Sequence, residues 1–202
     1  MGATLRVEYA PIPGFPEYGK LVGNLVFGAS SPAIQGDKIA LVQSLSGTGA
    51  LRVGGEFIKH FWPNKTILIP TPTWPNHNGV FGASDLNVQK YRYYDPKTIS
   101  LDIEGMCEDL ENAQEGSVVL LHACAHNPTG VDPTKEEWKR ILQVVQKRGL
   151  LVFFDAAYLG FASGDYDDDA FAIRSFVEQG VTLLLAVSFA KNMVYSRPVG
   201  ES

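Results

Sequence analysis

A chain of 202 residues, 45% hydrophobic and 19% charged, fits a soluble globular protein with one substantial core. Its formal net charge of -5 comes with scattered basic residues, which excludes a nucleic-acid footprint, and no run approaches the ~18 apolar residues that a membrane span needs. The expected partners are therefore small molecules. Two cysteines, Cys107 and Cys124, are too few for a disulfide framework and read as small buried residues in a reducing compartment. Met1 to Tyr9 shows no charged start followed by an apolar stretch, so no secretory signal is visible.

In chain order, Glu8 to Phe15 carries Pro11 and Pro13 and little periodicity, which predicts an extended arm before a helix over Glu17 to Phe27. Short apolar runs at Ile39–Gln43, Thr66–Ile69, Val88–Tyr91, Val118–His122, Leu151–Phe154 and Thr182–Val187 read as strands whose Val, Ile and Leu content suits burial on both sides. Longer amphipathic stretches alternate with them. The pattern predicts an α/β fold, a mainly parallel sheet with helices on both faces. The clearest helix starts at Thr134, where Glu137 stands at capping-box spacing and Trp138, Ile141, Leu142 and Val145 recur at helical intervals. Another is expected from about Asp168 to Gln179, ending at Gly180, with Asp167, Asp168 and Asp169 as a solvated first turn.

The chemistry sits just past the strand ends, where open α/β sheets bind ligands. Ser44 to Ala50 follows the first expected strand and opens a helix with Leu51, Phe57 and Ile58 on its apolar face. Backbone N–H groups at such a turn, with the Ser46 and Thr48 hydroxyls and the freedom of Gly47, suit a phosphate. Trp74, flanked by Pro72 and Pro75, can offer a flat face to an aromatic ring. Asn127, in the segment from His122 to Gly130, can donate to an oxyanion; His122 and His126 are expected to hydrogen-bond in support rather than to ligate a metal.

Asp155 closes the strand Leu151–Phe154 and needs a cationic or hydrogen-bonding partner to offset its desolvation. Tyr158 can aim a phenol at the same place. Lys191, after the run Val181–Val187 and Ser188, delivers an amine that can form an imine with a carbonyl. An amine nucleophile, an acid for a pyridine nitrogen, donors for a phenolic oxygen, a stacking ring and a phosphate cradle together match pyridoxal 5′-phosphate.

Ser46-Gly47-Thr48-Gly49-Ala50, His122 to Gly130, Asp155 to Gly164 and Ser188 to Met193 resemble the signature segments of the aspartate aminotransferases of the eukaryotic cytosolic and mitochondrial type. The likeness runs from about Tyr9 to Met193 and implies the large domain of a fold-type I enzyme that exchanges amino groups between L-aspartate and 2-oxoglutarate. It also implies the roles: Lys191 for the imine, Asp155 for the pyridine nitrogen, Asn127 and Tyr158 for the phenolic oxygen, and Trp74 for stacking. Ser46, Gly47, Thr48 and Ser188 would hold the phosphate, with Arg197 as the counterpart of the family's phosphate arginine and His77 and His122 in support. Tyr9 resembles the tyrosine that crosses a homodimer interface to the partner's cofactor.

On the same resemblance, residues 1–37 form an arm and helix partly at the interface, 38–193 the cofactor domain and 194–202 a divergent tail. The family's substrate-carboxylate arginines and small domain would lie beyond Ser202. A dicarboxylate needs such fork-like partners, so the 202-residue chain alone is expected to hold cofactor weakly and transaminate poorly. The alternatives are a non-catalytic cofactor- or partner-binding form and an aromatic class I aminotransferase. A cytoplasmic setting is expected, with a mitochondrial or other organellar one as the alternative.

Overall fold

The segments Val118–His122, Leu151–Phe154 and Leu183–Val187 are apolar at nearly every position, so both of their faces can be buried, as the centre of a parallel sheet covered by crossover helices requires. The structure, a computed structural model, describes residues 9–192. Its strands are β1 (Thr66–Thr71), β2 (Asn87–Arg92), β3 (Tyr94–Asp95), β4 (Ser100–Leu101), β5 (Val118–His122), β6 (Leu151–Ala156) and β7 (Leu183–Val187). β3 and β4 make a small antiparallel pair; the others form one five-stranded sheet in the order β2-β1-β5-β6-β7, every pairing parallel.

The helices are α1 (Pro16–Phe27), α2 (Pro32–Gln35), α3 (Ser46–Phe61), α4 (Asn76–Gly82), α5 (Ile103–Glu111), α6 (Lys135–Arg148), α7 (Tyr166–Asp169) and α8 (Phe171–Glu178). Alternation along each strand sends neighbouring side chains to opposite faces. Leu68, Val119, Leu121, Val152 and Phe154 meet Trp138 and Ile141 of α6 and Phe176 of α8. Ile67, Ile69, Leu120 and Phe153 meet Leu51 and Ile58 of α3 and Phe81 of α4. Burying each such side chain contributes about 1.5–3 kcal/mol, and the two cores clamp the sheet from both sides. The expected α/β architecture is what the chain adopts.

α6 shows how directly local sequence can set an element. Thr134 Oγ1 accepts from Glu137 N–H at 3.2 Å while Glu137 Oε2 accepts from Thr134 N–H at 2.8 Å, closing the capping box. Gly149 ends the helix at φ 60°, a left-handed conformation that glycine adopts without the Cβ clash.

Several expectations are corrected. Ile39–Gln43 is not a strand: it runs along the surface, tied by Gln43 N–H to Pro13 O at 2.8 Å, with Leu41 against Gly19 and Gly23 of α1. Leu41 packs on that helix, Val42 stays exposed, and the segment finds no ladder. β6 runs two residues past Phe154, so Asp155 lies inside the strand, paired in register with His122 and Ala186. The helix expected from Asp168 begins earlier and is split at Ala170. Its cap is Asp165, whose Oδ1 accepts from Asp167 and Asp168 N–H. Asp169 is buried rather than solvated. On α3, Phe57 points outward with Val53 and Phe61, four residues to either side, and only Leu51 and Ile58 of the expected face are buried.

Candidate active site

Parallel strands bring their C-terminal ends to one edge of the sheet, so the segments after β1, β5, β6 and β7 meet there with the N-terminus of α3. Between them lies a cavity of about 450 Å³. Ser46, Gly47, Thr48, Trp74, Asn127, Asp155, Tyr158, Ser188 and Lys191 all line it, although they are spread over most of the sequence. Two expected residues are not placed there. Tyr9 is fully exposed and lines no part of the cavity, and Arg197 lies outside the described residues.

One end of the cavity is a helix N-terminus with unused N–H donors. No side chain caps α3, so its first-turn amides and the positive end of its dipole face the cavity. A Cβ on Gly47 would stand 3.2 Å from Ser188 Cβ, tighter than ordinary contact, so glycine is what lets the helix end approach Ser188. Ser188 is itself fixed by its N–H to Ala156 O at 3.2 Å.

The opposite wall is a chain of buried polar groups whose direction can be worked out. The Asn127 backbone N–H donates to His122 Nδ1 at 3.3 Å. His122 is buried, and this burial, with His126 and His77 nearby, holds its pKa well below the ordinary histidine value. A neutral ring that accepts at Nδ1 carries its proton on Nε2, which then donates to Thr73 Oγ1 at 3.3 Å. The Thr73 hydroxyl is left to donate to His77 Nδ1 at 2.7 Å. His77 Nε2–H in turn donates to Asp155 Oδ2 at 3.0 Å. Donors thus run from the backbone of Asn127 to one oxygen of Asp155, and the other oxygen accepts from no group among the described residues.

Lys191 Nζ lies 4.4 Å from the centre of the Tyr158 ring. Asn192, the next residue, donates from Nδ2 to Leu159 O at 2.9 Å, which ties the lysine turn to the segment carrying Tyr158. Trp74 stands edge-on to His77, ring centres 5.3 Å apart. His126 stacks on Tyr93 with ring centres 3.9 Å apart; burial first, then His77, lowers its pKa to about 4.

Sequence reasoning passed over Thr73, which bridges two histidines; a hydroxyl four residues before His77 was the available signal. It also passed over Cys124 as a cavity-lining residue. Burial pushes that thiol's pKa up, so the thiol stays protonated and unreactive. Leu51, expected only on the apolar face of its helix, and Ala157 and Ala190, which nothing in the sequence marks, complete the wall.

The profile of the aminotransferase class I and II family matches residues 4–197. The cytoplasmic aspartate aminotransferase of Oryza sativa subsp. japonica is 56% identical over 194 residues, covering 96% of this chain and 48% of that protein. Among solved structures, the aspartate aminotransferase from Saccharomyces cerevisiae cytoplasm superposes with a TM-score of 0.91 at 41% identity, over 95% of this chain and 47% of that one. An aromatic-amino-acid aminotransferase from Burkholderia pseudomallei, covalently bound to pyridoxal phosphate, gives 0.92 at 37% identity, over 94% and 47%. The chain belongs to the class I and II aminotransferase family. It spans about half the length of the curated relatives it matches.

Proposed function

We propose that this chain carries the cofactor site of a pyridoxal-phosphate-dependent aspartate aminotransferase, exchanging amino groups between L-aspartate and 2-oxoglutarate. The observation that carries the proposal is the meeting, in one cavity, of Lys191, of Asp155 backed by a hydrogen-bonded histidine, and of an uncapped helix N-terminus beside Ser188. The donor set fits the cofactor. Amides of α3 with Ser46, Gly47, Thr48 and Ser188 would hold its phosphate, the free oxygen of Asp155 would accept from its ring nitrogen, and Asn127 and Tyr158 would donate to its phenolic oxygen. Trp74 would cover a ring face.

When bound, the cofactor supplies an aldehyde for an amine to capture and a protonated pyridine that draws negative charge away from the substrate Cα. The residues of the chain do the rest. His77 keeps Asp155 oriented, and a carboxylate that already holds one N–H would leave its second oxygen for the pyridine nitrogen. Lys191 would provide the amine and, as a free amine, a base placed to move the Cα proton. Tyr158, beneath the lysine, keeps that amine on the cavity side.

Substrate choice rests on the 56% identity to the rice enzyme, which also supports a cytosolic setting. Lys191 is the only lysine or arginine among the described residues that line the cavity, so that lining offers no guanidinium fork for two carboxylates. We infer a homodimer as well: Phe15, Tyr18, Leu21 and Leu25 on and beside α1, and Val53, Phe57 and Phe61 on α3, leave apolar stripes exposed that a second copy would cover. The exposure of Tyr9 suits a side chain that reaches a partner's cofactor phosphate.

The test is to load the protein with pyridoxal phosphate and follow the cofactor's visible absorbance on adding L-aspartate or L-phenylalanine. A change with aspartate that outpaces phenylalanine, with slow overall turnover on 2-oxoglutarate, is the expected result. A faster change with phenylalanine favours the aromatic enzyme, for which the Burkholderia likeness speaks. No change with either, although cofactor is held, reduces the chain to a binding form.

A further inference from the structure

Two carboxylates, the half-buried Asp132 and the buried Asp169, take no part in the chemistry above. Asp132 Oδ2 accepts from Ala125 N–H at 2.6 Å and its Oδ1 from His126 N–H at 2.8 Å. Asp169 Oδ2 accepts from Gly160 and Ala162 N–H at 2.8 and 3.0 Å, and its Oδ1 from Ser163 N–H at 3.0 Å. Both oxygens of both side chains are thus spent on backbone amides. Neither carboxylate makes an ion pair among the described residues.

What they grip is specific. Asp132 holds the two residues directly before Asn127, one of which, Ala125, has φ 47°, a left-handed conformation that a non-glycine residue keeps only when its surroundings enforce it. Asp169 holds the segment directly after Tyr158 and Leu159. Asp132 and Asp169 face a second cavity of about 310 Å³ that also touches Cys124, and Cys124 lines the first cavity too, so the pair sits behind the wall of the active site. Burial raises the pKa of Asp132, and the charge of Asp169 adds to the rise, a cost that only the amide donors offset.

We propose that Asp132 and Asp169 are positioning residues that set the spacing of Asn127 and Tyr158 and thereby the hydrogen bonding of the cofactor's phenolic oxygen. The inference rests on the cofactor reading above. An amide in either place would turn an NH₂ group toward a backbone N–H, so Asp132→Asn and Asp169→Asn each lose at least one grip while leaving the sheet and both cores untouched. Asp168→Asn is the control: it lines the same second cavity, but its carboxylate pairs with Lys135 at 3.0 Å on the surface.

The experiment compares the four proteins for cooperative unfolding, for pyridoxal phosphate affinity, and for the pH at which the bound cofactor's visible absorbance changes. Asp132→Asn and Asp169→Asn are expected to unfold cooperatively, bind cofactor about tenfold more weakly, and shift the absorbance midpoint by about one pH unit, the scale of one lost hydrogen bond to a charged group. Asp168→Asn is expected to match the wild type. Cofactor uptake by the wild type with an unmoved midpoint in both variants overturns the inference alone, as does loss of the cooperative fold in either. A wild-type chain that takes up no cofactor overturns the underlying reading and the inference together.

Discussion

The ends of β5, β6 and β7 and the stretch from Tyr9 to Leu45 are held in opposite ways. At the strand ends an unbroken chain of hydrogen bonds runs from the Asn127 backbone amide through His122, Thr73 and His77 to Asp155. In the N-terminal stretch the ties to the rest of the chain are few. Arg174 donates to Val26 O at 2.9 Å and Leu25 O at 3.1 Å, and Val26 is fully buried, while Tyr9, Ile12, Phe15, Leu21, Val42 and Leu45 are exposed. The difference separates two tasks: the groups proposed for cofactor chemistry are organised from within this chain, whereas its apolar N-terminal surface calls for something outside it.

The contrast can be broken from the core side first. Phe154 on β6 is fully buried between Trp138 and Phe176, with ring centres 5.9 and 5.3 Å away. Phe154→Ala should lower unfolding stability by about 3–5 kcal/mol, read from urea titration. Next, His77→Leu should weaken pyridoxal phosphate binding about tenfold or more, because Asp155 loses a charge-assisted partner worth roughly 1.5–3 kcal/mol while the fold is kept; a spectroscopic titration of affinity decides it.

A pH series sharpens the same comparison. His126, held at about 4 in the folded chain, has an ordinary value of about 6.5 when unfolded. The unfolded state therefore binds the extra proton between those values, so stability rises with pH across that window and falls as pH drops from about 6.5 toward 4. His122 acts in the same sense, and Asp132, whose pKa burial raises, in the opposite one. Denaturant midpoints at pH 7, 5.5 and 4.5 should therefore decline, two histidines outweighing one carboxyl. The smallest effect belongs to the exposed stripe: Phe57→Ala should change monomer stability by under about 0.5 kcal/mol yet weaken self-association in sedimentation, whereas unchanged association would remove α3 from the interface.

The fold was legible where sequence and burial tell the same story. β5 matches its apolar run residue for residue, Val118–His122, because a strand buried on both faces writes itself as consecutive Val and Leu. Ile39–Gln43 has a similar composition but no neighbour to pair with, a fact about space that a single segment does not contain. Lys191, Asp155, Asn127 and Trp74 stood out as reactive, polar or flat residues placed just after apolar runs. Thr73, Asp132 and Asp169 did not, because their importance lies in which distant amide or ring they meet. Asp169 in particular reads as the third of three solvated aspartates until the chain folds its carboxylate onto Gly160, Ala162 and Ser163.

Lys191 is the amine proposed to capture the cofactor aldehyde. Reduction of a pyridoxal-phosphate-treated sample with borohydride, followed by peptide mapping, tests it directly. The expected result is a single pyridoxyl label on the peptide containing Lys191, lost in Lys191→Ala. A label on another lysine, or none in a sample that unfolds cooperatively, would contradict it.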